Sequence, residues 1–433
     1  MTGRDDRFHK PEEDGSPRPP SARDRDRILH SSAWRRLGGV TQVVDPSEGH
    51  LFHNRLTHSL KVAQIGRRLA EILRSKPEEA KKAARHGGLD PEVVEAAALA
   101  HDLGHPPFGH VAEKELDKLI TAEGDPDGYE GNAQSFRIVT RLAIRRETES
   151  GLNLTRATLN AILKYPNLRG THGKKSKKWG AYRTEESEFA WAREQAVPDE
   201  GASLEAEIMD RSDDIAYAIH DLEDFYKAGL IPLDRLTTSK ADREAFIKQS
   251  LERRHKRQPN EQISAEEWRN AADLLVYLPV TERYTGSSAQ RAALRKATSY
   301  LINQYVSGIK INDIENRPAA GSRLLMPKGA TTELSFLKEL TWFYIIDNPK
   351  LATQQYGKAQ VIRDLFKIFF DAVNDASMHN ILPVRGRELL EAGEPATRVV
   401  ADIVSSLSDQ EALVLHRRLT GYSAGSVLDL ISL

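Results

Sequence analysis

Apolar residues recur at intervals of three and four along most of the chain, and no long stretch alternates strictly between apolar and polar positions. One such stripe contains Val62, Ile65, Leu69 and Ile72, a spacing that puts side chains on one face of a helix. The segment from Leu204 to Tyr226 has the same periodicity and predicts a second long helix. The pattern therefore predicts an almost all-α protein.

The helical pattern has a clear beginning and two interruptions. In the first 24 residues, prolines at positions 11, 17, 19 and 20 lie among glycines and charged residues. Such a segment buries too little apolar surface to order itself, so we expect residues 1–24 to form a mobile arm. We expect residues 316–329 and 386–395 to break the helical pattern, because both stretches contain glycine and proline.

The amino-acid composition limits which catalytic groups and which ligands the protein can use. The chain of 433 residues has no cysteine, which excludes disulfides, thiolate metal ligands and thiol nucleophiles. Its 62 Lys and Arg residues balance 63 Asp and Glu residues, for a formal net charge of -1. An anionic ligand must therefore be held by a local cluster of cations. The amino terminus has no apolar run long enough for a signal peptide, and no membrane span follows, so we expect a cytoplasmic protein.

The densest cluster of histidines is HDLGHPPFGH, residues 101–110, with Glu113 one helical turn later. Asp90 followed by Pro91 is a favourable helix start, and the run from Val93 to Leu103 ends at Gly104. We therefore expect the cluster at the carboxyl end of a helix, in a rigid turn built by glycine and proline.

Imidazole and carboxylate groups are the metal ligands that remain in a chain without cysteine. His101 and Asp102 offer one of each, and His58 and Asp213 can add a second imidazole and a closing carboxylate. Each also has an ordinary structural interpretation. His58 would be a core histidine, Asp213 part of a solvated acidic face, and His101 with Asp102 a helix cap. Their occurrence together favours a metal site.

In the order H…HD…D, these residues resemble the signature of HD-superfamily phosphohydrolases. Across residues 25 to 370, longer blocks are similar to those of the bacterial dGTPase-like deoxynucleoside triphosphate triphosphohydrolases: RRLGGVTQVV, HNRLTHSLKVAQIG, HDLGHPPFGH, YEGNAQSFRI, LKYP, DDIAYAIHDLED and LATQQYGKAQVI. The resemblance implies an all-α fold with an HD-domain helical core, which we assign to residues 25–230. Additional carboxyl-terminal helices, residues 231–433, would complete the nucleotide pocket and the oligomer contacts.

The resemblance also implies the catalytic residues. One divalent metal ion (Mn, Mg, Fe, Co or Zn) would be bound by His58, His101, Asp102 and Asp213. His110 falls at the position of the family's catalytic histidine, and Glu113, three residues later, can hold that ring in one tautomer. The block YEGNAQS has no histidine where some relatives place one, so His105 is the second candidate for proton transfer.

A triphosphate requires cations in its pocket, and the resemblance suggests where they lie. Arg55 precedes His58 by three residues and so shares its helix face, while Lys164 belongs to the LKYP block. Lys178 is a further candidate. Without the surrounding blocks, each would be interpreted as an ordinary surface cation.

Tyr217 and Asp221 follow Asp213 at intervals of four, which puts the three on one helix face. By resemblance, Tyr217 packs against the deoxyribose and disfavours a 2′ hydroxyl, and Asp221 accepts the 3′ hydroxyl. The alternative is that Tyr217 belongs to the core. Val43 and Gln354 correspond to positions that touch or approach the base in relatives.

The resulting prediction is a metal-dependent hydrolase that converts a deoxynucleoside triphosphate to deoxynucleoside and tripolyphosphate. The family further suggests a homo-oligomer, and a dNTP or single-stranded DNA as activator. Two alternatives stay open: another HD phosphohydrolase, such as a nucleotidase or nuclease, and a nucleotide-binding or single-stranded-DNA-binding regulator. In the regulator, the lysine-rich loop from Thr171 to Tyr182 would be the contact surface.

Overall fold

The structure is a computed structural model that describes residues 3–9, 17–43, 52–146, 149–171, 178–194, 201–259, 261, 263–313, 321–346 and 349–425. Over these residues the helices are α1 (Pro20–His30), α2 (Ser32–Arg36), α3 (Arg55–Ser75), α4 (Pro77–Arg85), α5 (Pro91–Ala100), α6 (His110–Ala122), α7 (Gly131–Arg137), α8 (Arg156–Ile162), α9 (Glu186–Arg193), α10 (Leu204–Lys227), α11 (Leu233–Thr238), α12 (Lys240–Arg257), α13 (Ala265–Ala272), α14 (Ser288–Gly308), α15 (Ala330–Thr341), α16 (Pro349–Asn374), α17 (Val384–Glu391), α18 (Ala396–Ser405) and α19 (Asp409–Leu419). Two small antiparallel pairs accompany them, β1 (Ile144–Arg146) with β2 (Glu149–Ser150) and β3 (Lys310–Ile311) with β4 (Leu324–Leu325). The predicted all-α fold is confirmed, and none of the described helices is long and apolar enough to cross a membrane.

Local signals in the sequence fix the helices that carry the candidate site. In α3, Val62, Ile65 and Leu69 are buried, as their spacing predicts. The helix α5 begins at Pro91, where the Asp90 carboxylate accepts a hydrogen bond from the backbone N–H of Glu92. The long helix α10 packs against both α3 and α5, so three helices from distant parts of the sequence meet at one place.

Two large apolar cores stabilise the described part of the molecule. The larger includes residues of α1, α3, α5, α8 and α10 and continues into α12, α13, α14 and α15. The smaller joins α6 to α16, α17, α18 and α19. The larger core therefore extends across the boundary predicted at residue 230, and the division into residues 25–230 and 231–433 stays a prediction.

The amino-terminal segment departs from the expectation of a mobile arm where the structure describes it. Arg7 is buried, and its Nη1 lies 2.6 Å from Oδ1 of Asp24. The other oxygen of Asp24 accepts from the backbone N–H and the hydroxyl of Thr155, at 2.8 and 2.7 Å. A buried charge needs such a partner, and the partner anchors the segment. Residues 1, 2 and 10–16 of the predicted arm lie outside the described residues.

The expected break at residues 386–395 is wrong in its first half, because α17 runs through Gly386. A Cβ atom at this position would lie 2.8 Å from Cδ1 of Ile403. Here the glycine allows α17 to approach α18 closely, and the helix ends only before Ala392.

Candidate active site

Three helices bring His58, His101 and Asp213 together. His58 lies in the first turns of α3, His101 directly follows α5, and Asp213 lies in α10. Nε2 of His58 is 2.9 Å and Nε2 of His101 is 3.8 Å from Oδ1 of Asp213. One ligand atom from each residue lies within 4.8 Å of the others, so the three could hold one metal ion. Two imidazoles and one carboxylate suit several divalent metals.

The tautomer of His101 fits a metal ligand. Its Nδ1 lies 2.6 Å from the carbonyl oxygen of Ala98, an oxygen that can only accept. Nδ1 therefore carries the proton and donates it, which leaves the lone pair of Nε2 directed toward Asp213. A backbone carbonyl that fixes the ring in this way is a common support of metal-binding histidines.

Asp102, the fourth predicted ligand, lies at the edge of this cluster. Its Oδ1 is 3.4 Å from Nε2 of His101 and 3.0 Å from Nδ1 of His105, and its Oδ2 accepts from Nη1 of Arg55 at 2.8 Å. Burial alone would raise the pKa of Asp102, but His101, Arg55 and His105 hold it well below its usual range. The buried carboxylate is therefore charged. Arg55, predicted to meet the triphosphate, serves as its counterion.

Asp213 is charged for a related reason. Burial opposes ionisation, yet Lys164, His58 and His101 lower the pKa of Asp213. Nζ of Lys164 lies 3.3 Å from Oδ2 of Asp213 and 2.5 Å from Oδ1 of Asp210. Asp210 was not among the predicted site residues, although its position three residues before Asp213 on α10 was the available signal. Lys164 thus lies beside the candidate metal cluster, and its role as a phosphate-binding cation stays a prediction.

A tight turn directs His110 toward solvent. Phe108 and Gly109 both have positive φ, 65° and 62°, and α6 begins immediately afterwards with His110. A Cβ atom at Gly109 would lie 3.1 Å from Nη2 of Arg55, so the turn passes close to the counterion of Asp102. The side chain of His110 is 74% exposed. An incoming substrate can therefore reach it.

Glu113 lies within hydrogen-bond distance of His110, and its role in holding that ring stays a prediction. Its Oε2 lies 2.7 Å from Nδ1 of His110. Burial would raise the pKa of Glu113, but the hydrogen bond to His110 and the charge of Lys178 lower it. The ionised carboxylate can only accept, so Nδ1 of His110 donates and Nε2 is left for proton transfer.

Lys178 connects Glu113 to a second carboxylate. Its Nζ lies 2.7 Å from Oε1 of Glu113 and 2.7 Å from Oε1 of Glu130. Glu130 also caps α7, since it accepts from the backbone N–H of Asn132 at 2.6 Å. The other lysines of the loop from Thr171 to Tyr182 lie within residues 172–177, which are outside the described residues.

His105 lies behind His110, with ring centroids 5.4 Å apart. Burial lowers the pKa of His105 to about 4, and the charge of Arg55 acts in the same direction. The ring is therefore neutral near pH 7. Together with His110 and Glu113 it forms a second group of ligand atoms within 4.8 Å of one another.

The carboxyl-terminal helices support the HDLGHPPFGH turn. Oδ1 of Asp409, the first residue of α19, accepts from the backbone N–H of Phe108 at 2.8 Å, and Oδ2 accepts from that of Thr41 at 3.3 Å. On the other side, a Cβ atom at Gly104 would lie 2.3 Å from the carbonyl oxygen of Gly131, so the turn packs directly on α7. No residue near Asp409 was predicted from the sequence to belong to the site.

We expect Asp409→Ala to destabilise the protein and to lower kcat. The substitution leaves the buried N–H of Phe108 and the Thr41 hydroxyl without an acceptor, which costs about 1–3 kcal/mol per buried group. The free energy of unfolding, measured by urea denaturation, tests this. Asp375→Ala is the matched control, because Asp375 caps a short exposed turn through Ser377. Equal stability of the two variants would contradict the supporting role of Asp409.

Two of the four predicted nucleoside-binding residues, Tyr217 and Asp221, follow Asp213 along α10. Tyr217 is half-buried and Asp221 is buried, and Oδ2 of Asp221 has no hydrogen-bond partner among the described residues. Burial, together with Asp224 and Asp213, holds the pKa of Asp221 well above its usual range. Val43 is half-buried against the larger core, whereas Gln354 is exposed on α16, which packs against α6. Of the four predicted nucleoside-binding residues, every one except Gln354 is thus partly or fully buried.

Comparisons with known proteins match two domain families to this chain. The HD domain family model matches residues 55–218, and the model of the phosphohydrolase-associated domain matches residues 324–418. Proteins named deoxyguanosinetriphosphate triphosphohydrolase-like protein are similar over nearly the whole chain. That of Streptomyces coelicolor is 37% identical over 96% of each chain. The protein of Corynebacterium efficiens is 37% identical over 93% of this chain and 91% of its own length. The protein of Wolinella succinogenes is 33% identical over 93% of this chain and 95% of its own length.

The chain belongs to the dGTPase-like family of HD-domain phosphohydrolases. The HD match contains the first and last predicted metal ligands, His58 and Asp213, and both candidate proton-transfer residues. The phosphohydrolase-associated match contains Gln354 and Asp409. In this dGTPase-like protein, the phosphohydrolase-associated domain thus supplies the Asp409 carboxylate, which accepts a hydrogen bond from Phe108 in the histidine-rich turn of the HD domain.

Proposed function

We propose that this protein hydrolyses deoxynucleoside triphosphates to deoxynucleoside and tripolyphosphate. The observation that carries the proposal is the proximity of two groups, His58–His101–Asp213 and His105–His110–Glu113, which Asp102 and Arg55 connect. The first group fits a metal ion and the second fits proton transfer. The names of the relatives support a nucleoside triphosphate as substrate.

The chain's own residues account for binding and proton transfer. A divalent metal ion held by His58, His101, Asp102 and Asp213 would polarise the α-phosphate. Lys164 and Lys178 bind the phosphate chain, and His110 transfers a proton from its Nε2 side while Glu113 holds the ring. Water forms a bond to the α-phosphorus, the bond from phosphorus to the 5′ oxygen breaks, and the 5′ oxygen leaves with a proton. The products are deoxynucleoside and tripolyphosphate.

A panel of dNTPs, tested singly and in mixtures with Mn²⁺-loaded protein, tests the reaction class. Ion-exchange chromatography resolves the products. Tripolyphosphate formed in equal amount to deoxynucleoside supports the proposal. Release of only monophosphate or pyrophosphate from every dNTP would contradict it and favour another HD phosphohydrolase. The homo-oligomer, the activating dNTP or single-stranded DNA, and the cytoplasmic location stay predictions of the family resemblance.

We expect Tyr217→Ala to weaken discrimination against ribonucleotides. Removal of the half-buried ring opens space beside the sugar, so the ratio of kcat/KM for dGTP to that for GTP should fall about 10-fold or more. Tyr217→Phe keeps the ring and should keep the ratio. An unchanged ratio in Tyr217→Ala would assign the ring to packing alone.

A further inference from the structure

Arg36 contacts both the histidine-rich turn, residues 101–110, and the carboxyl-terminal helices. Its Nη2 donates to the carbonyl oxygens of Leu103 and His105, at 2.6 and 2.8 Å. Its Nη1 donates to the carbonyl oxygen of Leu407 at 3.1 Å. Leu407 lies between α18 and α19, so one guanidinium joins this corner to the turn. Arg36 was not among the predicted site residues.

The local sequence holds the backbone of Arg36 in place. Ser31 caps α2, since its side chain accepts from the backbone N–H of Trp34. Trp34 and Leu37 are buried in the larger core, on the two sides of Arg36 along the chain. Close packing around these two side chains leaves the short helix little freedom. The guanidinium therefore reaches the turn from a fixed position.

The hydrogen bonds of Arg36 fix backbone and do not neutralise a carboxylate. Within the described part of the chain, its side chain donates to carbonyl oxygens and forms no ion pair. Burial lowers its pKa to about 10, so the group stays charged near pH 7. A planar guanidinium holds several acceptors at set distances and angles. Buried carbonyl oxygens in a turn need such donors, and here they lie on both sides of Gly104.

The bonded carbonyl groups lie between the two halves of the candidate active site. Asp102, a predicted metal ligand, directly precedes the first of them, and the second is followed by the tight turn that directs His110. The same corner holds the far end of the turn, because Asp409, two residues after Leu407, accepts from the backbone N–H of Phe108 at 2.8 Å. The corner between α18 and α19 therefore supports the turn both directly and through the guanidinium.

We propose that Arg36 is a positioning residue, which keeps the predicted metal ligands at the start of the histidine-rich turn at a fixed distance from His110. The inference rests on the proposed function, because proton transfer requires the ring at a set distance from the reacting phosphate. Loss of the guanidinium frees the backbone of the turn and slows proton transfer. Lys164 lies outside the turn and still binds substrate, so kcat should fall while KM changes little.

A cavity beside Arg36 makes this role testable by chemical rescue. Arg36 lines a space of about 570 Å³ between α2, α7, α17 and α18, and the exposed Arg35 and Ile144 also line it. A small guanidinium ion can therefore enter from solvent and occupy the position vacated in Arg36→Ala. Arg35→Ala is the matched control, because the side chain of Arg35 forms no hydrogen bond or ion pair with another described residue.

Tripolyphosphate release by the full-length, Mn²⁺-loaded proteins gives the kinetic test, with and without ethylguanidinium. In Arg36→Ala, kcat should fall about 10- to 100-fold and KM should change less than about threefold. Ethylguanidinium should raise the kcat of this variant at least about threefold, because it restores the lost donors. Arg35→Ala should show neither effect. Arg36→Lys should retain only part of kcat, since an ammonium lacks the planar fork.

Hydrogen–deuterium exchange of the same proteins gives a readout that needs no turnover. Amides of residues 101–110 should exchange faster in Arg36→Ala, and ethylguanidinium should slow them again. Unchanged exchange in this variant would overturn the inference. Faster exchange with an unchanged kcat would also overturn it, because Arg36 would then stabilise the turn alone.

The exchange measurement separates this inference from the proposed function. If the wild type releases no tripolyphosphate but the turn exchanges faster in Arg36→Ala and is rescued, the proposed function fails and the positioning of the turn stands. Faster exchange throughout the protein, without rescue, would assign Arg36 to general stability and overturn the inference. If Arg36→Ala lacks the cooperative thermal transition of the wild type, Arg36→Lys provides the comparison.

Discussion

Replacing His110 by glutamine should lower kcat by about 10²–10⁴-fold, the range that general acid–base catalysis contributes. The ring is 74% exposed, and Glu113 binds its Nδ1 at 2.7 Å, so Nε2 is the atom available for proton transfer. Glutamine preserves polarity but cannot carry the proton near neutral pH. Because His110 is not one of the predicted metal ligands and lies outside the group formed by His58, His101 and Asp213, the metal content of the variant should remain that of the wild type.

Glu113→Gln separates orientation from proton transfer. An amide can direct either its oxygen or its nitrogen at His110, so the tautomer is no longer fixed and kcat should fall less than in His110→Gln. Glu115→Gln is the matched control, because Glu115 lies on the same helix and pairs with Lys118 and Arg363. Tripolyphosphate release by His110→Gln within twofold of the wild type would refute the role of His110 and direct attention to His105.

Helix boundaries that depend on neighbouring residues could be predicted from the sequence. Asp90 and Pro91 start α5 because an aspartate cap and a first-turn proline act within a few residues of each other. The same holds for the face of α3 that buries Val62 and Leu69. Local physics determines these features, and the order of the histidines and aspartates indicated which helices meet.

Features that depend on long-range partners could not be predicted. The pattern S-x-x-E from Ser408 to Glu411 marks the start of α19, yet nothing local shows that Asp409 reaches Phe108, about 300 residues earlier in the chain. Arg7 is a similar case, since its burial depends on Asp24 and on the carbonyl oxygen of Asn153. A charged residue in a proline-rich segment indicates disorder until its partner is known.

Replacing Asp213 by asparagine should abolish metal binding and reduce tripolyphosphate release below that of His110→Gln. The substitution removes the carboxylate that lies 2.9 Å from His58 and 3.8 Å from His101, and it leaves Lys164 paired with Asp210 alone. A carboxylate is a much better ligand than a neutral amide for a divalent ion. Metal content, measured by atomic spectroscopy after dialysis, should fall from about one ion per chain toward none.

Asp214→Asn makes the same charge change one residue further along α10 and is the decisive control. Asp214 pairs with Arg211 and Lys338, outside the metal cluster. Metal at a hundred times its Kd should stabilise the wild type and Asp214→Asn by about 2.7 kcal/mol, because it binds only the folded state. Asp213→Asn should show no such increase in thermal stability. Metal-dependent stabilisation that persists in Asp213→Asn would place the ion elsewhere, even if activity were lost, so the thermal measurement tests the metal site independently of the reaction.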